Sequence, residues 1–247
     1  SMKVLVISDI HANLAALDTV LKDAQSRGYD EIWCLGDVVG YGPDPVDCLE
    51  ILYARRAVFL RGNHEEGVVT GDLSRFRRDA RASLQWTREQ LPGTWRERFS
   101  GWPVKRERFG CLFVHGGPVD PLFGYVVSRD DASAAFAAFD GTVCFHGHTH
   151  FPLCFLKEPG SARPVLCPAD PGGRMSVRFD PGRAYLVNVG SVGQPRDGLF
   201  PACAGVLDTE HRRFELLRVP YPAEVTRDKI VSLRLPSSLG GRLLRGM

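Results

Sequence analysis

Short apolar runs alternate with amphipathic stretches along the first sixty residues of the chain. The runs Lys3–Ile7, Glu31–Leu35 and Ala57–Leu60 each have the length and composition of a buried strand. Between them, apolar residues recur at helical spacing up to Gly28, and Pro45 begins a second helical stretch. This β-α-β-α-β order predicts parallel strands joined by right-handed crossovers.

The remainder of the chain contains a second run of predicted strands. These strands are Val104–Arg108, Cys111–Val114, Thr142–Phe145, Leu153–Leu156, Ala184–Val189, Cys203–Leu207 and Arg213–Val219. Residues 157–183 are rich in Pro and Gly, which is typical of a loop or a ragged hairpin. We therefore expect an α/β protein with two stacked sheets and helices outside them.

Helical patterns also occupy two segments outside these strands. An arginine-rich helical stretch covers about 68–102 and is divided at Pro92-Gly93, whereas the tail at about 221–247 is divided at Pro236. The sequence thus predicts a single domain over 1–247, with a small helical cap and a helical tail.

The composition and charge of the chain give no support to nucleic-acid binding or to a membrane location, and they exclude few other functions. The chain has 44% apolar and 24% charged residues and a formal net charge of +2, so it carries no strong nucleic-acid signal. No apolar run approaches the roughly 18 residues of a membrane span. Seven cysteines without a C-x-x-C pair suggest buried thiols in a reducing compartment, so we expect a cytoplasmic protein.

Six of the seven histidines lie in short polar blocks that adjoin predicted strands. The four blocks are Ser8-Asp9-Ile10-His11, Arg61-Gly62-Asn63-His64, Val114-His115-Gly116-Gly117 and His146-Gly147-His148-Thr149-His150. A fifth block, at 35–40, adds Asp37. Polar side chains at several strand ends are typical of an active site built on a sheet. His, Asp and Asn without Cys favour catalytic divalent metals over a structural zinc.

These blocks supply enough donors for two metal ions. The predicted ligands are Asp9, His11, Asp37, Asn63, His115, His148 and His150. Asp9 and His11 alternate with Ile10, so we expect both side chains to face one side. If Asp37 bridges, each ion has about four protein ligands and retains open positions. Two ions about 3.5–4 Å apart could bind both sides of a phosphoryl displacement and supply a bridging hydroxide at neutral pH.

Three further polar features are candidates for substrate contacts. His64 follows Asn63 directly, so we expect its side chain to point away from that of Asn63. It is then the natural group to contact the phosphate or protonate the leaving oxygen, and such proton transfer typically raises the rate about 10²–10⁴-fold.

Arg196 is predicted to lie near the turn at 148–150 and to contact phosphate. A set of arginines in the predicted cap forms either a solvated helix face, which we favour, or a phosphate-binding lid. These are Arg75, Arg77, Arg78, Arg81 and Arg88.

The ordered motifs resemble those of the calcineurin-like metallophosphoesterase superfamily. They are D-x-H, G-D-x-x-G, G-N-H followed by an acid, a block similar to H-G-x-P, and G-H-T-H. The resemblance runs from Ser8 to His150 and extends to Asn188–Gly193. Segments 40–45 and 193–198 look like a small bacterial single-domain subgroup. Glu65 departs from the Asp that many members of this subgroup carry, and we treat it as weak evidence about substrate.

The resemblance implies a four-layer αββα sandwich and a specific division of the ligands. One ion would be held by Asp9, His11, Asp37 and His150. The other would be held by Asp37, Asn63, His115 and His148. His64 would be catalytic with support from Asp37, and both Asn63 and His64 would contact substrate. Manganese is the expected ion, with iron, zinc, nickel and cobalt as alternatives.

The predicted function is metal-dependent hydrolysis of a small phosphomonoester or phosphodiester. Alternatives with the same chemistry are a protein Ser/Thr phosphatase and a dinucleoside polyphosphate hydrolase. An alternative of another class is a non-catalytic scaffold, against which we note that none of the expected ligands is missing. The sequence does not indicate an oligomeric partner.

Overall fold

Two six-stranded sheets form the centre of the protein in the computed structural model, which describes residues 1–247. The strands are β1 (Lys3–Ile7), β2 (Glu31–Cys34), β3 (Val58–Phe59), β4 (Lys105–Arg108), β5 (Cys111–Val114), β6 (Val143–His146), β7 (Leu153–Lys157), β8 (Val165–Leu166), β9 (Met175–Arg178), β10 (Ala184–Asn188), β11 (Ala202–Asp208) and β12 (Arg213–Val219). Their order is β3-β2-β1-β11-β12-β9 in the first sheet and β4-β5-β6-β10-β7-β8 in the second.

Eight helices flank the sheets. They are α1 (Leu14–Arg27), α2 (Pro45–Ala54), α3 (Asn63–Thr70), α4 (Arg78–Gln90), α5 (Gly93–Gly101), α6 (Arg129–Ala137), α7 (Ala223–Ser232) and α8 (Ser237–Arg245). The predicted breaks at Pro92 and Pro236 are present, since each proline directly precedes a helix. No helix combines the length and the hydropathy that crossing a bilayer requires.

Strands β1, β2 and β3 are parallel, as the β-α-β-α-β pattern predicts. The prediction that β11 and β12 complete the second set of strands is wrong, because they belong to the first sheet. β11 pairs antiparallel with β1, and β12 pairs with β11. One edge of β1 is left unpaired by the parallel strands, so its backbone groups need a partner strand. The β11–β12 hairpin has enough buried positions to pair there inside the first sheet.

The segment 157–183, predicted as a loop or ragged hairpin, contains two short edge strands. β8 pairs with β7 in the second sheet, whereas β9 pairs with β12 in the first. The chain therefore crosses between the sheets within this segment. Apolar alternation predicts that a strand exists, but it does not specify the sheet in which the strand finds its partner.

Aromatic side chains fill the space between the two sheets. The ring of Phe145 on β6 lies 5.3 Å from that of Phe113 on β5 and 5.1 Å from that of Phe214 on β12. All three are buried. Because Phe214 belongs to the opposite sheet, this cluster holds the sheets together. Helices α1 and α2 pack on the outer face of the first sheet and α6 on that of the second. The predicted α/β architecture is confirmed.

Candidate active site

The predicted metal ligands meet at one edge of the two sheets. They follow β1, β2, β5 and β6 or begin α3, and all seven side chains are buried. The Asp37 carboxylate is central, because its Oδ2 lies 3.3 Å from His115 Nε2 and 3.7 Å from His11 Nε2. A single carboxylate oxygen thus lies between two imidazole groups that belong to different halves of the site.

One half consists of Asp9, His11 and His150, whose ligand atoms lie close enough to hold one ion. His11 Nε2 and His150 Nε2 are 3.0 Å apart, and Asp9 Oδ1 is 3.2 Å from His150 Nε2. The other carboxylate oxygen of Asp9 accepts hydrogen bonds from the Ser8 hydroxyl and the His148 backbone N–H. Only Oδ1 therefore remains for an ion.

The other half consists of Asp37, His115 and His148, with Asn63 beside them. Asn63 Oδ1 lies 3.0 Å from His115 Nε2. His148 Nε2 is buried and has no hydrogen-bond partner. The structure thus brings every side chain of the predicted ligand set into one cluster, and His64 lies close enough to His11 and Asp37 to form a third group.

Backbone carbonyls fix the tautomer of three ligand histidines. The acceptors are Val39 O for His11 Nδ1 (3.0 Å), Leu35 O for His115 Nδ1 (2.9 Å) and Gln194 O for His150 Nδ1 (2.7 Å). A carbonyl only accepts, so each Nδ1 carries a proton and each neutral ring directs an Nε2 lone pair into the site. The lone pairs of His11 and His150 face each other at 3.0 Å, which is unfavourable unless a cation or a proton lies between them. Asp9 Oδ1, buried without a hydrogen-bond partner, requires one as well. The residues therefore fit a divalent metal.

Five of the ligands have left-handed backbone conformations. The φ angles are +54° at Asp9, +48° at His11, +55° at Asp37, +67° at His148 and +61° at His150. Such conformations cost a non-glycine residue roughly 1–2 kcal/mol each and concentrate at functional sites. β1 ends at residue 7, so this turn, and not the strand alternation that we expected, directs Asp9 and His11 into the site.

Two glycines let the backbone approach the carboxylates. A Cβ at Gly62 would lie 2.2 Å from Asp37 Oδ1, and one at Gly147 would lie 2.5 Å from Asp9 Oδ2. Any side chain at these positions would displace a predicted ligand. This accounts for the glycine that precedes each polar pair in the G-N-H and G-H-T-H motifs.

Glu65 is a site residue whose role the sequence did not reveal. Its buried carboxylate accepts hydrogen bonds from four backbone N–H groups. The donors are Asp37 (2.8 Å), Val38 (2.7 Å), Val39 (3.3 Å) and Gly62 (2.9 Å). Burial and the Asp37 carboxylate raise the pKa of Glu65 to about 7, which the backbone donors oppose. Glu65 therefore ties the turn that carries Asp37 to the start of α3.

His64 points into the site, contrary to our expectation that it points away from Asn63. Both residues begin α3, where successive side chains are about 100° apart and not opposite as in a strand. His64 Nε2 lies 3.9 Å from Asp37 Oδ2, while Nδ1 faces Gly40. Burial lowers the pKa of His64 well below its ordinary value. His64 therefore presents Nε2 to the centre of the site.

The two carboxylates of the site control its electrostatics. Burial would raise the pKa of Asp9, but His150 and His115 hold it well below its ordinary range. At His115, burial would lower the pKa, but the negative charges of Asp37 and Asp9 outweigh burial and raise the pKa to about 9. Burial lowers the pKa of His148 to about 4. At neutral pH and in the absence of metal, the site thus keeps two anionic carboxylates beside a cationic His115 and a neutral His148.

The cleft above the site contains the predicted Arg196 and two tyrosines that sequence reasoning missed. The Arg196 guanidinium donates to Gln194 Oε1 at 2.7 Å and to the Tyr41 hydroxyl at 3.4 Å. The ring of Tyr125 lies 4.4 Å from that of His148. Tyr41 belongs to the 40–45 segment already singled out for its resemblance, whereas nothing in the sequence indicated Tyr125.

Comparisons with known proteins agree with this geometry. The family model of the calcineurin-like phosphoesterases matches residues 2–152. A Methanocaldococcus jannaschii protein described as uncharacterized is 33% identical, over 98% of each chain. The crystal structure of a metallophosphoesterase from Sphaerobacter thermophilus superposes with a TM-score of 0.86 and 35% identity, covering 100% of this chain and 99% of that one. A hypothetical protein from Pyrococcus horikoshii shares the fold, with a TM-score of 0.79, 20% identity and coverage of 100% and 99%.

Two sheets with buried carboxylates and imidazoles at one shared edge define a metallophosphoesterase fold with candidate metal-binding clusters. With more than half of its length matched by the family model, the chain belongs to the calcineurin-like phosphoesterase family.

Proposed function

We propose that this protein hydrolyses phosphoric esters with two divalent metal ions bound in the site. The observation that carries the proposal is the pair of inward-facing imidazole nitrogens of His11 and His150, 3.0 Å apart beside an unpartnered Asp9 oxygen. A cation or a proton between the two nitrogens makes that arrangement favourable, and the unpartnered Asp9 oxygen beside them supports the metal ion. The shared position of Asp37 Oδ2 between His11 and His115 supports a second ion next to the first.

In this proposal the ligands are divided as the resemblance implies. Asp9, His11, Asp37 and His150 would hold one ion, and Asp37, Asn63, His115 and His148 the other. When bound, such ions polarise phosphoryl oxygens and lower the pKa of water toward about 7. Manganese is our proposed ion; iron, zinc, nickel or cobalt would fit the same carboxylate, amide and imidazole donors, so the ligand types do not select among these metals.

His64 acts on the leaving group in this proposal. Nδ1 is closed off by Gly40, so Nε2 is the nitrogen that a substrate can reach. Water loses a proton as its oxygen adds to phosphorus, and the ester oxygen takes up a proton as its bond to phosphorus breaks. The neutral His64 donates a hydrogen bond from Nε2 to that oxygen, which assists its departure. Asn63 and Arg196 orient the phosphate from two sides of the cleft, Arg196 being held in place by Gln194 and Tyr41.

The test is hydrolysis of p-nitrophenyl phosphate and bis-p-nitrophenyl phosphate in parallel, with Mn²⁺ and with excess EDTA. We expect Mn²⁺-dependent turnover that EDTA abolishes, and the faster substrate distinguishes a phosphatase from a phosphodiesterase. Bound metal without turnover of either compound, or of a wider phosphoester panel, would contradict the proposal and favour the non-catalytic scaffold.

A further inference from the structure

Six arginines from three separate parts of the chain line the cleft that opens onto the metal site. They are Arg75, Arg77 and Arg78 at the start of α4, Arg196 after β10, and Arg242 and Arg245 on α8. The cleft has a volume of about 920 Å³ and contains Asp37, His64 and His148 on its inner wall. Arginines far apart in the sequence therefore line the cleft into which a substrate phosphate would bind.

None of these six guanidinium groups forms an ion pair with a carboxylate, although eight ion pairs elsewhere in the protein involve arginine. Apart from the ligand Asp37, the cleft contains one acid, Asp79, whose carboxylate already accepts a hydrogen bond from the Ser238 hydroxyl of α8. The cleft thus concentrates positive charge that the protein itself does not neutralise.

Neutral groups hold two of these arginines in place. The Arg75 guanidinium lies 3.7 Å from the centre of the Phe123 ring, and Arg196 is held by the Gln194 amide oxygen and the Tyr41 hydroxyl. Aromatic and amide contacts orient a guanidinium without cancelling its charge. The Arg75 donors and Nη1 of Arg196 have no hydrogen-bond partner in the protein and therefore remain available to an anion.

The remaining arginines of the α4 stretch have other surroundings. Arg81 donates to the Phe76 carbonyl, and the Arg88 guanidinium lies against Gly71. The arginine-rich stretch consequently does not behave as one solvated helix face. Its first three arginines face the cleft, and the later ones do not line it.

Charge balance indicates what the cleft binds. Two divalent cations carry four positive charges, of which Asp9 and Asp37 neutralise two, and a phosphate dianion neutralises the rest. The arginines are then in excess of what a substrate with one phosphate requires. Guanidinium groups bind phosphate through paired hydrogen bonds, so a second phosphate is the group that they fit best.

We propose that the substrate is a small molecule with two phosphate groups, of which the metal site cleaves one while arginines of α4 and α8 hold the other. The inference rests on the proposed function. Arg78 belongs to α4 and Arg242 to α8, and both line the cleft. Replacing both residues therefore tests whether the two sides of the cleft bind the same ligand.

The experiment compares adenosine 3′,5′-bisphosphate with adenosine 5′-monophosphate as substrates in Mn²⁺. We expect kcat/KM to be at least about 10-fold higher for the bisphosphate, because charge-assisted hydrogen bonds to phosphate are strong. The double variant Arg78→Gln/Arg242→Gln should lose about 10- to 100-fold of this preference. Arg96→Gln is the matched control, since Arg96 is an exposed arginine of α5 without an ion pair and outside the cleft.

A second readout separates this inference from the proposed function. Calorimetric titration of the metal-free protein in EDTA measures binding of the two nucleotides without hydrolysis. Tighter binding of the bisphosphate that the double variant loses would support the inference even if no turnover occurs. Equal binding and equal kcat/KM for both nucleotides, or a preference that the double variant retains, would overturn the inference. The proposed function would still stand in that case if the protein turned over aryl phosphates in a Mn²⁺-dependent manner.

Discussion

Replacing Glu65 by Gln should destabilise the protein far more than its position beside the site suggests. The carboxylate accepts four backbone N–H groups, two through each oxygen. A glutamine amide offers one acceptor oxygen, so two of these buried donors would lose their partner and face an NH₂ group. Hydrogen bonds to a charged group contribute about 1.5–3 kcal/mol each, so two lost bonds cost about 3–6 kcal/mol. The burial and the Asp37 repulsion that raise the Glu65 pKa are relieved in Gln, which offsets part of this cost and leaves a net loss of no more than about 3 kcal/mol. A domain is stable by only about 5–15 kcal/mol in total.

The assay is urea unfolding of the metal-free proteins at pH 8.5, where the carboxylate is ionised because its pKa lies at about 7. Glu66→Gln provides the matched control on the same turn of α3. Glu66 pairs only with Arg61, at 3.2 Å and partly exposed, so its loss should cost less than about 1 kcal/mol.

Binding of Mn²⁺ is the second readout for Glu65→Gln. The clamped turn carries Asp37 and the Val39 carbonyl that orients His11, so metal affinity should fall together with stability. Equal unfolding midpoints for Glu65→Gln and Glu66→Gln would refute the reasoning, since the four backbone bonds would then contribute nothing measurable.

Four further outcomes follow from the site. Asp37→Asn should abolish turnover of p-nitrophenyl phosphate with an unchanged circular dichroism spectrum, and retained turnover would exclude a bridging role. His64→Ala should keep the metal content of the wild type by elemental analysis and lower kcat by about 10²–10⁴-fold; loss of metal would show that it is a ligand. Arg196→Ala should raise KM about 10-fold, because a charge-assisted phosphate contact is lost, and an unchanged KM would refute that contact. Mn²⁺ affinity, measured by calorimetry, should rise about 10-fold per pH unit up to about pH 9, because His115 has a pKa of about 9 and must lose one proton to bind; a pH-independent affinity would contradict this.

The sequence predicted the ligand set because the donors follow strands that are easy to recognise. Asp9, Asp37 and His115 each come directly after an apolar run, and parallel strands bring their carboxyl ends to one edge. The order of the five polar blocks along the chain then indicated the metallophosphoesterase superfamily. That the carboxylates of Asp9 and Asp37 each lie within 4.0 Å of His115 Nε2 follows from the same pattern.

Two aspects of the site depended on backbone geometry that residue patterns do not encode. The left-handed conformations at His148 and His150 aim both side chains inward, and no local signal marks a non-glycine residue for such a conformation. The direction of His64 depends on where α3 begins, and a helix boundary is uncertain by a few residues in any single sequence.

Long-range contacts account for the rest of what the sequence did not reveal. Glu65 binds a turn almost thirty residues earlier, and α8 brings Arg242 to the cleft entered by Arg78. The pairing of β11 with β1 is of the same kind. In each case the residue type permits many partners, and only the packing of the whole chain selects one.

The most direct test of the dinuclear site is titration of the metal-free protein with Mn²⁺, with bound ions per chain and aryl phosphate hydrolysis measured at each step. We expect two ions to bind per chain and hydrolysis to rise as the second ion binds. Full activity with a single bound ion, or activity without any bound metal, would contradict the dinuclear site.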